Sequence, residues 1–148
     1  MKPEPTAVST PAVPAPFVCR PMTPADASTM SSLFFESFNA PFFRYAWPPT
    51  ESGRKWWVEA WSIGYKDDTC RTFIVFDSSI KTEHEPEGKP VAFTRWVIPQ
   101  QDGNLDRAWP ALLEEWDEEL MGAFFGGMQR NRAELMGRRP HWSKLHSS

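Results

Sequence analysis

Three histidines, two cysteines and several dense groups of aromatic and basic side chains are the residues of this chain that could do chemistry. His141 is the general-base candidate by type, because imidazole is the side chain most often used to move a proton in catalysis. Its place between Pro140 and Trp142, just before a strand-like run, favours a packed or capping role. His84 falls in a charged connection and His146 two residues before the last. Cys19 and Cys70 lie in apolar, strand-like runs with no evident cationic neighbour, so they read as buried reduced thiols rather than as nucleophiles or a disulfide framework. Ser31 and Ser32 sit in a helical pattern without a nucleophile elbow. No set of His, Cys, Asp and Glu has metal-ligand spacing, so no metal is expected. Arg130, Arg132, Arg138 and Arg139 could bind an anion. They follow Glu114, Glu115, Asp117, Glu118 and Glu119 in one helical run, however, and that order complements a helix dipole, which favours a solvated face. Catalytic residues stay unknown at this level.

Composition narrows the setting. The chain's 148 residues fit one domain with a real core. A net charge of -3 gives no reason to expect nucleic acid or an anionic membrane as partner. No apolar run approaches the ~20 residues of a membrane span, and the first residues lack the charged-then-apolar order of a secretion signal. A cytoplasmic or nuclear protein that is not secreted is the expectation. Much of the excess in the 15 prolines lies in residues 1–16, which have few large apolar side chains and predict a disordered tail.

The elements that must position any site follow from pattern. Residues 72–76 and 91–98 are rich in β-branched and aromatic types, without clean alternation, and predict an antiparallel pair that is apolar on both faces. The polar, Pro- and Gly-punctuated stretch between them predicts a loose tip. A short strand is expected at 17–20. Thr23, Pro24 and Asp26 then signal a helix start, and Ala27, Met30, Phe34 and Phe38 form one apolar stripe that ends at Pro41. Residues 39–49 are dense in proline and aromatics and predict a loop. A second helix is expected from 51 or 52 to about 63, closed by Gly64. A third opens near Pro110, carries Leu112, Leu113, Trp116, Leu120, Phe124 and Met128 at helical spacing, and stops at Gly137. Residues 140–148 look like the entry into a further strand.

This order, together with particular runs, resembles the N-terminal half of a fungal-type GNAT acetyltransferase, the family that moves an acyl group from acetyl-CoA to an amine. The runs are Phe17-Val18-Cys19-Arg20-Pro21-Met22-Thr23-Pro24-Ala25-Asp26, the arms Phe73 to Phe76 and Val91 to Ile98, and Gly137-Arg138-Arg139-Pro140-His141-Trp142 leading into Leu145-His146. The resemblance spans residues 17–148 and implies an α/β fold with a mixed sheet, incomplete in that the chain stops at the start of the fourth strand. It implies an amine acceptor, small molecule or peptide, and a wall for it at the connection between the first two helices and on the second arm: Phe38, Phe42, Trp47 and Trp96. The simpler alternative is that these rings cap the core. The family's Gln/Arg-x-x-Gly-x-Gly/Ala turn, which holds the CoA pyrophosphate on backbone N–H groups at a helix N-terminus, does not occur in the sequence. Acetyl-CoA is therefore the cofactor expected of a complete member, with none bound by this chain alone and its second arm left as an unpaired, aggregation-prone edge. A continuation past Ser148 into that turn is expected from the same pattern. Two other readings are a non-catalytic protein- or peptide-binding module that uses its aromatic surface, and a truncated gene product without a stable fold.

Overall fold

The structure is a computed structural model that describes residues 10–103 and 106–147. Four antiparallel strands form one sheet in the order β1-β2-β3-β4: β1 is Phe17–Pro21, β2 is Cys70–Asp77, β3 is Lys89–Val97 and β4 is Ser143–Ser147. Between β1 and β2 the chain makes a short 3-10 turn at Pro24–Asp26 and helices α1 (Ala27–Ser37), α2 (Pro41–Ala46) and α3 (Glu51–Lys66); α4 (Glu118–Met136) lies between β3 and β4. No described helix is long and apolar enough to cross a membrane.

The β2–β3 pair forms antiparallel, with Ile74 opposite Phe93 and a bulge between Val75 and Phe76. Ile74, Phe76 and Phe93 share one core with Met30, Leu33 and Phe34 of α1 and with Trp57, Ala60 and Trp61 of α3. Two-faced burial holds for β2, where the neighbours Phe73 and Ile74 are both buried, and fails for β3. There Phe93, Arg95 and Val97 are buried while Thr94 and Trp96, which point the other way, are half-buried. At the tip, Gly88 turns the chain with φ of 118°, a conformation that side chains rarely adopt.

Four further expectations need correction. β4 does form: Ser143–Ser147 pairs along β3 with Val97 opposite Ser143 and Phe93 opposite Ser147, so β3 is an inner strand and not an unpaired edge. Pro41 opens a helix, since a proline at the first helical position lacks only an N–H that would go unused there. Gly64 lies inside α3, which runs on to Lys66, because a Cβ at Gly64 would collide with the Arg95 guanidinium. The third long helix starts at Glu118, with the Asp117 carboxylate accepting from the Leu120 N–H at 2.9 Å, and residues 106–117 form a strap outside helix and strand that turns at 114–116. Residues 1–9 of the expected tail lie outside the described residues, while the Pro16 carbonyl already accepts from the Ser78 N–H at 3.0 Å.

The first connection is held by charge. Arg20 of β1 lays its fork on Asp26, with Nη1 at 2.7 Å and Nη2 at 2.9 Å from the two carboxylate oxygens, and reaches Glu87 in the hairpin tip at 2.7 Å. The Thr23 N–H and hydroxyl also donate to Asp26, at 2.7 and 3.0 Å. Burial alone would raise the Asp26 pKa, but the bonds from Arg20 and Thr23 outweigh it and hold the carboxyl below its ordinary value. A depressed folded pKa contributes stability above the unfolded carboxylate pKa of ~3.9, and that contribution is lost as pH falls through the folded value. Asp26→Asn is therefore expected to lower the urea midpoint at pH 7 by an amount worth about 2 kcal/mol. The gap to wild type should close as the titration is repeated at lower pH, from ~4 downward; a gap constant to pH 2 would refute the assignment.

Candidate functional site

A cleft of about 810 Å³ opens between the end of β3, the strap at 106–112 and the flank of α4. The strap is pinned to α3 by the Trp56 indole, whose Nε1 donates to the Ala111 carbonyl at 2.8 Å and whose ring stacks on Trp109 with 6.0 Å between centroids and 6° between planes. On the other side Arg132 of α4 donates to the Gly103 carbonyl at 3.0 Å, and Gln129 donates to Asp106 at 3.2 Å. The walls are apolar: Trp109, Leu112, Phe125, Met128, Leu135 and Trp142 line the cleft and are exposed. A concave apolar surface with a few converging polar groups is the usual form of a ligand site.

Those polar groups are unusual in being under-satisfied. Arg95, on the wall, is only 2% exposed, yet among the described residues its one hydrogen bond runs from Nη2 to the Ala60 carbonyl at 3.2 Å, and its Nε has no partner. Its guanidinium lies 4.6 Å from the centre of the Trp61 ring and 5.6 Å from that of Trp109. Burial pulls its pKa below the ordinary arginine value, with Cys70 and Asp67 offsetting part of the effect. Arg107 stands 3.6 Å from the Asp67 carboxylate through Nε, too far for a hydrogen bond, and neither its Nε nor its Nη2 finds an acceptor. For Asp67 itself, burial raises the pKa, but the two bonds from Thr69 and the Arg107 charge prevail and hold it low. The Cys70 thiol is buried beside this cluster, and desolvation pushes its pKa up although Arg95 and Arg107 act against it. Cys70 thus has the cationic neighbours that the sequence hid, and it remains a protonated thiol. Cys19 is free and half-buried, its pKa also raised by burial.

His141 enters the cleft wall as well. Its Nδ1 lies 2.7 Å from the Arg139 carbonyl, which can only accept, so Nδ1 carries a proton and, in the neutral ring, the lone pair is on Nε2. That Nε2 is buried with no hydrogen-bond partner. An imidazole held by a backbone carbonyl in the lining of an apolar cleft can serve as a general base where a substrate reaches its second nitrogen. His84 is exposed in the hairpin tip, and the side chain of His146 lies outside those described.

No family model matches the chain, and no curated protein matches it. Among the described residues no group of His, Cys, Asp and Glu could hold a metal.

The four aromatic residues named from sequence do not share one surface. Trp47 is 5% exposed in the core against Phe34, Trp57 and Phe124, and Phe38 packs between Phe34 and Phe43. Phe42 is 43% exposed and faces Phe124 at 6.0 Å. Trp96 points to the opposite face of β3 from Arg95 and meets Trp142 edge-on at 6.2 Å. The cleft lining described above contains none of the four. Its key groups, Arg95, Arg107 and His141, are spread over β3, the strap and the approach to β4, so spacing alone could not unite them. One signal was legible: Arg95 shares a face with Phe93 and Val97 in an apolar strand, where a charge has no solvent.

Proposed function

We propose that the chain forms the acceptor side of a GNAT-like acyl transfer: it seats an amine in the cleft and removes a proton from it through His141. The observation that carries this reading is the buried, unpartnered Nε2 of His141 at the cleft wall, with its tautomer set by the Arg139 carbonyl. The antiparallel order β1-β2-β3-β4, with helices between β1 and β2, agrees with the element order that the sequence resemblance implies. In such a transfer the amine nitrogen attacks the thioester carbonyl carbon, the C–N bond forms, the C–S bond breaks and the thiolate leaves. The proton lost by nitrogen passes to Nε2. The pyrophosphate-binding turn is not in this sequence, so acetyl-CoA itself is expected to give no heat on titration into this chain.

A donor that does not need that turn tests the reading. With S-acetyl-N-acetylcysteamine and L-tryptophan, thiol release is expected to exceed the uncatalysed rate, and His141→Gln is expected to return it to background, a loss on the order of 100-fold for a general base. Release that is unchanged by His141→Gln, or no acceleration by the wild type, would refute it. The second reading is a non-catalytic module that binds an aromatic peptide. The exposed Leu112, Phe125, Met128 and Leu135 around the cleft favour it, and tight peptide binding without thiol release would be its signature.

A further inference from the structure

The cleft's apolar walls converge on cationic donors that the protein itself leaves unused. Of the charged groups on its lining, Arg132 is engaged by the Gly103 carbonyl and by Gln129, and Asp106 accepts from Gln129. Among the described residues, Arg95 and Arg107 are each engaged through a single nitrogen, Nη2 by the Ala60 carbonyl and Nη1 by the Asp106 carbonyl. The Arg95 Nε and the Arg107 Nε and Nη2 are buried N–H groups without acceptors, and the Asp67 carboxylate takes both Thr69 bonds on Oδ1, its Oδ2 standing 3.6 Å from the Arg107 Nε. Two guanidinium charges thus share one carboxylate, which reaches Arg107 only at 3.6 Å. Buried polar groups in folded proteins nearly always have partners, and an isolated buried charge is strongly disfavoured unless a counter-ion reaches it. A ligand carboxylate supplies what is missing, because its two oxygens accept several N–H bonds at once and guanidinium donors match its planar geometry. The rest of the ligand must be flat and apolar, since Trp109 and Trp56 are stacked at the wall and Leu112, Phe125 and Met128 complete it.

We infer that this cleft binds a small aromatic carboxylate, with the acid group paired to Arg95 and Arg107 and the ring lying among Trp109, Leu112 and Phe125. Under the acceptor reading above, on which only this role for the ligand rests, the acceptor is an amine that also carries a carboxylate. The recognition of the acid does not depend on that role.

Calorimetric titration of the full chain with indole-3-propionate and its neutral isostere indole-3-propionamide tests the inference. The acid is expected to bind about tenfold or more tightly than the amide. Arg95→Met and Arg107→Met should each remove most of that preference. Equal affinity for acid and amide, no binding of either at millimolar concentration, or a preference that survives in both variants would overturn the inference. A capped tripeptide ending in tryptophan distinguishes a free acid from a peptide C-terminus: binding more than tenfold tighter than the acid would overturn the small-molecule assignment. Neither indole probe carries an amine, so this outcome is independent of the thiol-release assay. Acid preference without acyl transfer would leave this inference standing and remove the acyltransfer reading, and the reverse holds equally.

Discussion

Trp47→Ala is expected to destabilise the protein by about 3 to 5 kcal/mol, the usual cost of removing a large aromatic side chain from a packed interior. Trp47 is 5% exposed, and its ring has Phe34, Phe43, Trp57, Phe124 and Phe125 within 6.4 Å between centroids. It therefore joins three layers: the α1 stripe, α3 and the first half of α4. These elements are separated in sequence, and among the described residues no other side chain touches all of them through rings in the same way. Rigid aromatic neighbours relax poorly into a void, so the cost should fall in the upper part of the range. A domain held by ~5 to 15 kcal/mol would lose much of its margin. Phe42→Ala is the control: 43% exposed, with ring contacts among the described residues to Phe43 and Phe124, it should cost under about 1 kcal/mol. Urea unfolding followed by tryptophan fluorescence measures both. A Trp47→Ala cost near that of Phe42→Ala would show the ring to be a site wall rather than a core member.

How much was legible in the sequence follows the range of each interaction. The β2–β3 pair and the stripe Ala27, Met30, Phe34 were readable because both depend on neighbours two to four residues away. The ends of helices were not, because proline and glycine have two meanings. Pro41 serves as a first helical residue, and Gly64 yields room to a side chain from β3. The strap was read as helix from Pro110, since Leu112, Leu113 and Trp116 repeat at helical spacing. The Trp56 indole ties it to α3 through the Ala111 carbonyl, a contact that no local pattern encodes. The site was the least legible part. Arg95, Arg107, Asp67 and Cys70 meet only when β2, β3 and the strap come together, and the strongest signal, an arginine among core positions of a strand, marks a charge without naming its partner.

That charge leads to the second large effect. Arg95→Met is expected to stabilise the unliganded protein by about 1 to 3 kcal/mol, as replacement of a buried ionic group by an apolar one of similar volume often does. Against the substitution stand the bond to the Ala60 carbonyl and the stacking on Trp61 and Trp109, together worth about 1 to 3 kcal/mol at most. In favour stands the release of a guanidinium that is 2% exposed, has no carboxylate hydrogen-bonded to it among the described residues and keeps an orphan Nε; the effective penalty for such a group is several kcal/mol. Methionine suits the space. It is unbranched, slides between the two indoles with favourable sulfur–ring contacts, and leaves the close approach to Gly64 intact. Arg95→Ala, by contrast, empties the same space and should destabilise. The measurement is the urea midpoint of the three proteins without ligand. If Arg95→Met falls below wild type by more than about 1 kcal/mol, the guanidinium is a strut of the fold. If it rises while acid binding disappears, the protein gives up stability to keep a cation at the cleft, and that is the behaviour expected of a binding group.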